Sequence, residues 1–176
     1  FALAKATFQV LFVSDNQNLK THYSNYGRTK LRVLFNEILT ILKTRSRTSF
    51  LDKSCIKTIE DEKFVYLPLH QEPERSLLLD APFYTNQIET ARNIAKSLPI
   101  GYVLYVKEHP TQGRSRGWRP ISDYKEIMEI PNVKLIHYSA PSDELIKKSS
   151  LVISVGGTAS FEAAFYEKPS IMFADL

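Results

Sequence analysis

The sequence predicts an α/β domain, a Rossmann-like parallel sheet flanked by helices, from about residue 64 to residue 176, preceded by a helical segment and connector over residues 1–63. Short apolar runs alternate with helical patterns in this region, which is the spacing of parallel βαβ crossovers. The predicted strands are almost wholly apolar, as expected for strands covered on both faces. The length of 176 residues suits one domain with an appendage. The composition, 43% hydrophobic and 24% charged, argues against a disordered chain.

The first third of the chain is predicted to be mostly helical. Apolar residues recur at helical spacing between residues 27 and 43, which predicts one buried stripe: Leu31, Leu34, Phe35, Ile38, Leu39 and Leu42. Residues 44–63 are polar and predict a connector.

The remaining elements follow in alternation. Strands are predicted at 64–67, 102–106, 133–136, 151–154 and 170–173, and helices at 86–98, 122–130, 142–148 and 158–167. Thr85 and Ser122 are the expected N-caps of the first two of these helices. Because ligands of such sheets bind beyond the carboxyl ends of the strands, residues just after each strand are the candidates for a site.

The charge and cysteine content narrow the class of protein. Residues 1–63 hold 11 Lys and Arg against 6 Asp and Glu, whereas residues 64–176 hold 12 against 13. The basic first third could bind an anionic membrane surface or nucleic acid, or it could be a helix face exposed to solvent. Its lysines and arginines occur singly at helical spacing, which favours the solvent-exposed helix face. The lone Cys55 excludes a disulfide framework and a multi-cysteine zinc site, and it fits a reducing compartment.

The two ends of the sequence indicate a piece of a longer protein. The chain lacks an initiator Met and a signal-peptide cleavage site, and no apolar run reaches the roughly 18 residues of a membrane span. It stops just after a strand-like run, so we expect the domain to be truncated at its C-terminus.

The strongest local signal is a glycine pair between a strand and a helix. Gly156 and Gly157 let a ligand approach the backbone, and the helix start then offers free N–H groups to a phosphate. Thr158 and Ser160 add hydroxyl groups, and Glu162 is placed to accept hydrogen bonds from ribose or sugar hydroxyls. The alternative is a tight turn with Thr158 as N-cap and Glu162 as a surface acid.

Two further segments follow predicted strands. His109, stiffened by Pro110, follows the strand at 102–106 and can donate to a phosphate, or it is an ordinary surface histidine. Glu72 and Glu74, with His70 nearby, form a pair suited to general acid–base catalysis, or they belong to a charged loop. For the basic loop 113–119 there are two alternatives: a loop that closes over a nucleotide, or a surface loop. The four histidines share no ligand spacing, so no metal is predicted.

These segments together resemble the capsule polysaccharide synthesis family of bacterial glycosyltransferases, which includes Kdo transferases. The resemblance runs from about residue 64 to residue 176 and rests on the order of several motifs, at 69–74, 81–84, 97–101, 105–110, 130–133, 156–163 and 168–171. No resemblance is found for residues 1–63.

The resemblance implies the GT-B architecture, with this chain as the C-terminal, nucleotide-sugar-binding half. It assigns phosphate contact to His109 and Pro110, and the phosphate and sugar cradle to residues 156–160. The family's Gln-Pro-Glu pattern, near the reaction centre, reads Glu72-Pro73-Glu74 here. The usual glycine before the last Lys-Pro is Glu167.

The expected function is that of a glycosyltransferase fragment for capsular or surface polysaccharide synthesis. It uses no cofactor beyond a donor nucleotide sugar, with a CMP-sugar among the candidates. Expected partners are a glycan or glycolipid acceptor, an N-terminal GT-B domain of the parent chain and the inner face of the membrane, but no nucleic acid. We expect a cytoplasmic location, and no turnover by this fragment alone. Alternatives are a nucleotide-sugar epimerase, a glycerophosphate transferase domain, or a non-catalytic nucleotide-fold interaction module.

Overall fold

The computed structural model describes residues 2–13, 30–72, 74–112 and 119–174. The chain divides into two compact units, Phe1–Arg45 and Ser46–Leu176. In the described part of the first unit, helix α1 (Ala2–Phe8) is followed by a π-helical segment (Gln9–Val13), and helix α2 (Lys30–Ser54) begins. The described part of the first unit is therefore helical, as predicted.

Helix α2 differs from its prediction in length and in burial. It continues to Ser54 because residues 44–54 contain neither glycine nor proline to end it. The predicted stripe is not buried: Leu31, Phe35 and Ile38 are exposed in the structure. Helical spacing shows that a helix has an apolar face, but it does not supply the element that covers it. Residues 27–29 of the predicted helix lie outside the described residues.

The second unit contains a five-stranded sheet in the order β3-β2-β1-β4-β5. The strands are β1 (Phe64–Pro68), β2 (Val103–Lys107), β3 (Val133–Ile136), β4 (Leu151–Ser154) and β5 (Ser170–Met172). All four pairings are parallel. The predicted parallel sheet is confirmed.

Helices cover both faces of this sheet. The connecting helices are α3 (Gln87–Ser97), α4 (Ile121–Met128), α5 (Ser142–Lys148) and α6 (Ala159–Phe165). Side chains alternate along β1, so Val65 and Leu67 pack with α3, α4 and the end of α2, whereas Phe64 and Tyr66 pack with α5 and α6. The two-sided burial explains why the strands read as continuous apolar runs.

Two predicted helix caps are wrong. Helix α3 is capped by Asn86, whose side chain accepts a hydrogen bond from the N–H of Glu89 at 3.1 Å, whereas Thr85 bonds back to Pro82. Helix α4 begins at Ile121, with Pro120 at the N-cap position and no side-chain cap. Ser122 is the second residue of α4, and its hydroxyl donates to Oδ1 of Asp123 at 3.1 Å instead of capping the helix.

Shorter segments complete the second unit. A π-helical segment (Ser76–Asp80) and a 3₁₀ turn (Pro82–Tyr84) lie between β1 and α3. Among the described residues, no helix combines the length and the apolar content needed to cross a lipid bilayer.

Candidate functional site

A cavity of about 420 Å³ opens at the carboxyl ends of β1, β2 and β4. We call it the site cavity. It lies where ligands of parallel sheets bind. Its lining comes from the strand ends, the loops that follow them and the first residues of α5 and α6: Tyr66, Pro68, Leu69, His70, Glu74, Lys107, Glu108, His109, Pro110, Ser142, Ile146, Gly156, Gly157, Thr158, Ala159 and Glu162.

The glycine turn, residues 156–158, connects β4 to α6 on one wall of the cavity. The buried N–H of Gly156 donates to Nε2 of His70 at 3.1 Å. Gly157 has a φ of 78°, and a Cβ atom there would lie 3.4 Å from Cε1 of His70. The hydroxyl of Thr158 donates to Oε1 of Glu162 at 2.6 Å. The turn therefore brings backbone, hydroxyl and carboxylate groups to the same wall.

Ser160, in contrast, is not brought to the cavity wall. It is buried, its hydroxyl lies 2.6 Å from that of Ser154, and it donates to the carbonyl of Ile171 at 3.2 Å. Because these contacts join α6 to β4 and β5, the structure gives Ser160 a packing role. The predicted site role for Ser160 has no support in its position.

His109 faces the cavity from the end of β2. Its Nδ1 atom accepts a hydrogen bond from the N–H of Thr111 at 3.2 Å, and its own backbone N–H donates to Glu108 Oε1 at 2.7 Å. Since Nδ1 is an acceptor, the neutral ring carries its proton on Nε2. His109 can therefore donate a hydrogen bond from Nε2 to an anion, and Pro110 lines the cavity beside it.

Lys107 places a buried positive charge between strand and cavity. The residue is 3% exposed, and its Nζ atom donates to the hydroxyl of Ser142 at 2.6 Å. Burial lowers the pKa of Lys107, and the charge of Asp143 opposes that shift. A buried ammonium group paired with a hydroxyl is stabilised by an anion in the cavity. No role was predicted for Lys107, although a lysine that ends an apolar strand was an available signal.

The predicted pair of acids is split. Glu74 lines the cavity, and its Oε2 atom lies 3.0 Å from Nδ1 of His70. Because Nε2 of His70 accepts from Gly156, Nδ1 carries the proton and donates to Glu74. Oε1 of Glu72 instead accepts from Gln87 at 2.5 Å and from Arg119 at 3.0 Å. Glu72 is not part of the cavity lining.

A buried charged cluster lies behind the site cavity. Glu108 Oε2 accepts from Nε of Arg119 at 2.8 Å and from the hydroxyl of Tyr124 at 2.7 Å, and all three residues are buried. Burial and the charge of Glu108 raise the pKa of Tyr124, so the phenol stays a donor. The sequence analysis missed this cluster, because its members are separated along the chain.

A second, more open cavity of about 630 Å³ adjoins the first at the end of β3. The two cavities share Lys107, Pro110 and Ser142. His137 lies on its wall, with Nε2 3.2 Å from Oδ1 of Asp52, and burial lowers the pKa of His137. Together the two cavities have room for a ligand much larger than a phosphate group.

Another cavity, of about 670 Å³, lies elsewhere, between α3 and strands β4 and β5. Its walls are mostly apolar, and the one charged side chain among its described lining residues, Glu89, is paired with Arg92 at 2.5 Å. Its described lining offers no cation to a charged ligand, which makes it a poorer candidate for the site than the cavity at the strand ends.

Two predictions concern residues that the structure leaves undescribed. Residues 113–118 of the predicted basic loop and Pro73 lie outside the described residues. Within the described ranges, no three His, Cys, Asp or Glu side chains converge in a group able to hold a metal ion.

Comparison with known proteins gives the fold. No protein-family model and no curated protein matches the sequence. Among solved structures, the chain is similar to the beta Kdo 2,7 transferase of KpsC from Thermosulfurimonas dismutans, with a TM-score of 0.51 and 16% sequence identity. The match covers 77% of this chain and 42% of that one. This similarity supports the predicted Rossmann-like fold and, at the level of the fold, the resemblance to capsule-synthesis glycosyltransferases.

Two other solved structures are less similar. The UDP-GlcNAc 2-epimerase from Neisseria meningitidis, bound to UDP-GlcNAc, has a TM-score of 0.48 and 17% identity, and the match covers 79% of this chain and 36% of that one. The beta Kdo 2,4 transferase of Thermosulfurimonas dismutans KpsC has a TM-score of 0.47 and 16% identity. That match covers 96% of this chain and 52% of the other.

Proposed function

We propose that this chain is the donor-binding half of a GT-B glycosyltransferase, and that the site cavity binds the phosphate and sugar of a nucleotide-activated sugar. The observation that supports this most is the convergence of Lys107, His109 and the glycine turn on one cavity. All three reach it from the carboxyl ends of parallel strands, as nucleotide sites on such sheets do.

The chemistry of glycosyl transfer fits these groups. Transfer from a nucleotide sugar expels a phosphate as the leaving group, and donors already in place stabilise the charge that develops on it. Lys107 supplies a positive charge of lowered pKa, and Nε2 of His109 supplies a directed N–H. The first N–H groups of α6 have no intrahelical acceptor, whereas the N–H of Gly156 already donates to His70.

The carboxylates of the cavity are assigned to the sugar. Glu162, oriented by Thr158, accepts hydrogen bonds from ribose or sugar hydroxyls in this proposal. Glu74, oriented by His70, is the acid–base candidate that lines the cavity. Glu72 is held by Gln87 and Arg119, and its proposed contribution to catalysis is indirect.

Further parts of the proposal concern the whole protein. The attacking hydroxyl of the glycan or glycolipid acceptor needs a base, which we place on a second, N-terminal domain. The chain spans about 42% of the KpsC chain that it matches. We therefore expect this chain alone to bind nucleotide but not to transfer sugar, and we propose capsule or surface polysaccharide synthesis on the cytoplasmic side of the membrane as its setting.

Nucleotide binding is the first test. Thermal unfolding of the chain is measured with CMP, CDP, UDP, GDP and CMP-Kdo. A ligand that binds only the folded state adds about 2.7 kcal/mol of stability at a hundredfold excess over its dissociation constant. We expect nucleotides of one base to raise the melting temperature. If none of the five does so, the proposed function is wrong for this chain.

Variants locate the binding. Lys107→Met and His109→Ala each remove a donor to the phosphate, so we expect affinity to fall about 10- to 100-fold by calorimetric titration. Lys125→Met removes an exposed lysine of α4 outside the cavity and serves as the matched control. Equal affinity in the two site variants and the control would place the nucleotide elsewhere.

Product analysis with the parent protein separates the enzyme classes. A glycosidic bond supports the transferase, whereas a free epimer or a phosphodiester would identify an epimerase or a glycerophosphate transferase. Sugar transfer by the 176-residue chain alone would contradict our placement of the base on a second domain.

A further inference from the structure

Polar side chains at and behind the site cavity, most of them buried, form one continuous series of hydrogen bonds between its two walls. We propose that Arg119 and Gln87 are positioning residues, which hold His109 and the glycine turn in the relative geometry that binds the ligand. Neither residue lines the cavity. The identity of the ligand in this inference rests on the proposed function. The connection between the two walls, in contrast, is tested without a ligand.

The first end of the series fixes His109. Arg119, which is 2% exposed, donates from Nε to Glu108 Oε2 at 2.8 Å. The other oxygen of that carboxylate accepts the backbone N–H of His109 at 2.7 Å. Tyr124 holds the same carboxylate from the side of α4 at 2.7 Å. Because Arg119, Glu108 and Tyr124 are buried, water does not compete for these charge-assisted hydrogen bonds. The bonds therefore fix the position of the backbone at His109.

The middle of the series joins two loops through one guanidinium group. Nη2 of Arg119 donates to Glu72 Oε1 at 3.0 Å, so Arg119 connects the loop after β2 to the loop after β1. The same Glu72 oxygen accepts from Nε2 of Gln87 at 2.5 Å. A planar guanidinium holds two carboxylates at fixed angles, which an ammonium group does not.

The second end fixes the glycine turn. Gln87 brackets the backbone of His70: its Oε1 accepts the His70 N–H at 2.6 Å, and its Nε2 donates to the His70 carbonyl at 3.2 Å. The ring of His70 then accepts the N–H of Gly156 at 3.1 Å. Gln87 is buried, and its amide is the member of the series that sets the position of His70.

The sheet alone does not provide this connection. His109 follows β2 and Gly156 follows β4, and β1 lies between these two strands. The loops that carry the ligand-binding groups extend beyond the last paired residues of the strands, where the ladder no longer fixes them. Buried ion pairs in general add little net stability. A geometric role therefore accounts for the buried Arg119 and Glu108 better than a stabilising one.

The test compares two arginines that each bridge two glutamates. Arg119 bridges Glu72 and Glu108 behind the cavity, whereas Arg92 bridges Glu89 and Glu126 on the surface of α3 and α4. Arg119→Lys and Arg92→Lys both keep the charge and lose the planar fork. With CMP and UDP as probes, we expect Arg119→Lys to weaken binding about tenfold and Arg92→Lys to leave it unchanged.

A ligand-free measurement separates this inference from the proposed function. In the nitrogen-15 spectrum of the folded protein, Gln87→Leu is expected to shift the amide signal of Gly156 and the ring nitrogens of His70. Arg119→Lys is expected to shift the amide of His109 and, through Glu72, that of Gly156. If the wild-type chain binds none of the five ligands of the thermal panel, the proposed function fails, and these signals alone decide whether the series connects the two walls.

Two outcomes would overturn the positioning role. One is a shift confined to the residues next to the substitution, with the Gly156 signal unmoved in Gln87→Leu. The other is a folded Arg119→Lys or Gln87→Leu protein of lower stability but unchanged affinity for the nucleotide that the wild type binds. Gln87→Leu keeps the test valid if Arg119→Lys does not fold, because it leaves the pairs of Arg119 with Glu72 and Glu108 in place.

Discussion

Two glycines with left-handed backbone conformations differ only in what surrounds them. Gly157 has a φ of 78° and Gly101 a φ of 89°. A Cβ atom on Gly157 would lie 3.4 Å from His70, whereas one on Gly101 would meet nothing within 4 Å. A non-glycine residue in this region costs roughly 1–2 kcal/mol. The pair therefore separates backbone strain from disturbance of the site.

We predict that Gly157→Ala and Gly101→Ala each lower the free energy of unfolding by about 1 kcal/mol. Only Gly157→Ala is expected to weaken nucleotide binding, because there the strained backbone belongs to the turn that lines the cavity, with the new methyl group in contact with His70. Urea unfolding and calorimetric titration measure the two effects. Loss of affinity in Gly101→Ala, on the opposite end of the sheet from the cavity, would contradict the argument.

Glu167 is the one described residue other than glycine with a positive φ, 55°. It follows α6, where its N–H donates to the carbonyl of Ala164 at 3.1 Å and that of Lys168 to Ala163 at 3.0 Å. Glycine is the favoured residue at such a helix end. We predict that Glu167→Gly raises the free energy of unfolding by up to about 1 kcal/mol in urea titration; a decrease would show that the glutamate side chain stabilises the turn.

At this scale the sequence predicts positions better than orientations. His109 and the glycine turn follow apolar strands, and parallel strands bring their carboxyl ends together, so their convergence was predictable. Glu72 and Glu74 were not separable, because spacing in an irregular loop does not tell where a side chain points. Their directions depend on Gln87, Arg119 and His70, whose positions are set by other elements.

Among the elements, helix α2 has two very different apolar sections. Leu42, within the predicted stripe, is 55% exposed, whereas Leu51, two and a half turns later, is 1% exposed and packs in the core with α3 and α4. Removing a buried leucine side chain leaves a cavity, and removing an exposed one does not.

We predict that Leu51→Ala lowers the free energy of unfolding of the sheet-containing unit by about 2–5 kcal/mol. Leu42→Ala, the same change on the same helix, is expected to alter it by less than about 0.5 kcal/mol. Chemical denaturation monitored by tryptophan fluorescence and circular dichroism compares them. A large effect of Leu42→Ala would mean that its side chain is covered in solution.

The bounds of helices and strands were predicted correctly where the apolar pattern and the residues that end an element agreed. Strands β3 and β4 and helix α5 have the predicted bounds, because each apolar run ends at polar residues and α5 carries acids first and lysines last. The end of α2 was missed because its sequence is polar and lacks a helix-breaking residue. Its last turns are helical and packed through Leu51 and Phe50, a tertiary contact that local pattern does not reveal.

At the scale of the whole unit, the end of α2 is joined to the edge of the sheet. Ile56 pairs with Ile136 in an isolated parallel bridge, and the N–H of His137 donates to the carbonyl of Ile56 at 2.9 Å. The ring of His137 is buried beside Asp52, and burial lowers its pKa. Protonation of one imidazole is therefore linked to the stability of the entire unit.

The sign of this linkage gives a pH prediction. Because the pKa of His137 is lower in the folded state than its ordinary value of 6.5, the unfolded chain binds the proton first as the pH falls. Stability is therefore expected to decline below about pH 6.5. His137→Gln should show a shallower decline between pH 7 and pH 5 by urea unfolding at each pH. Identical slopes in the two proteins would exclude His137 as the cause.

The position of β1 in the middle of the sheet also decides when the cavity forms during synthesis. Val65 pairs with Leu104 and with Leu151, which is 86 residues later in the chain. Pairings of such long range are slow to form, because closing a large loop costs entropy before any contact is gained. A ribosome releases the His70 and His109 loops well before the glycine turn. The nascent chain therefore exposes the unpaired side of β1 until residues 151–158 emerge, and chaperone binding is expected to be strongest in that interval.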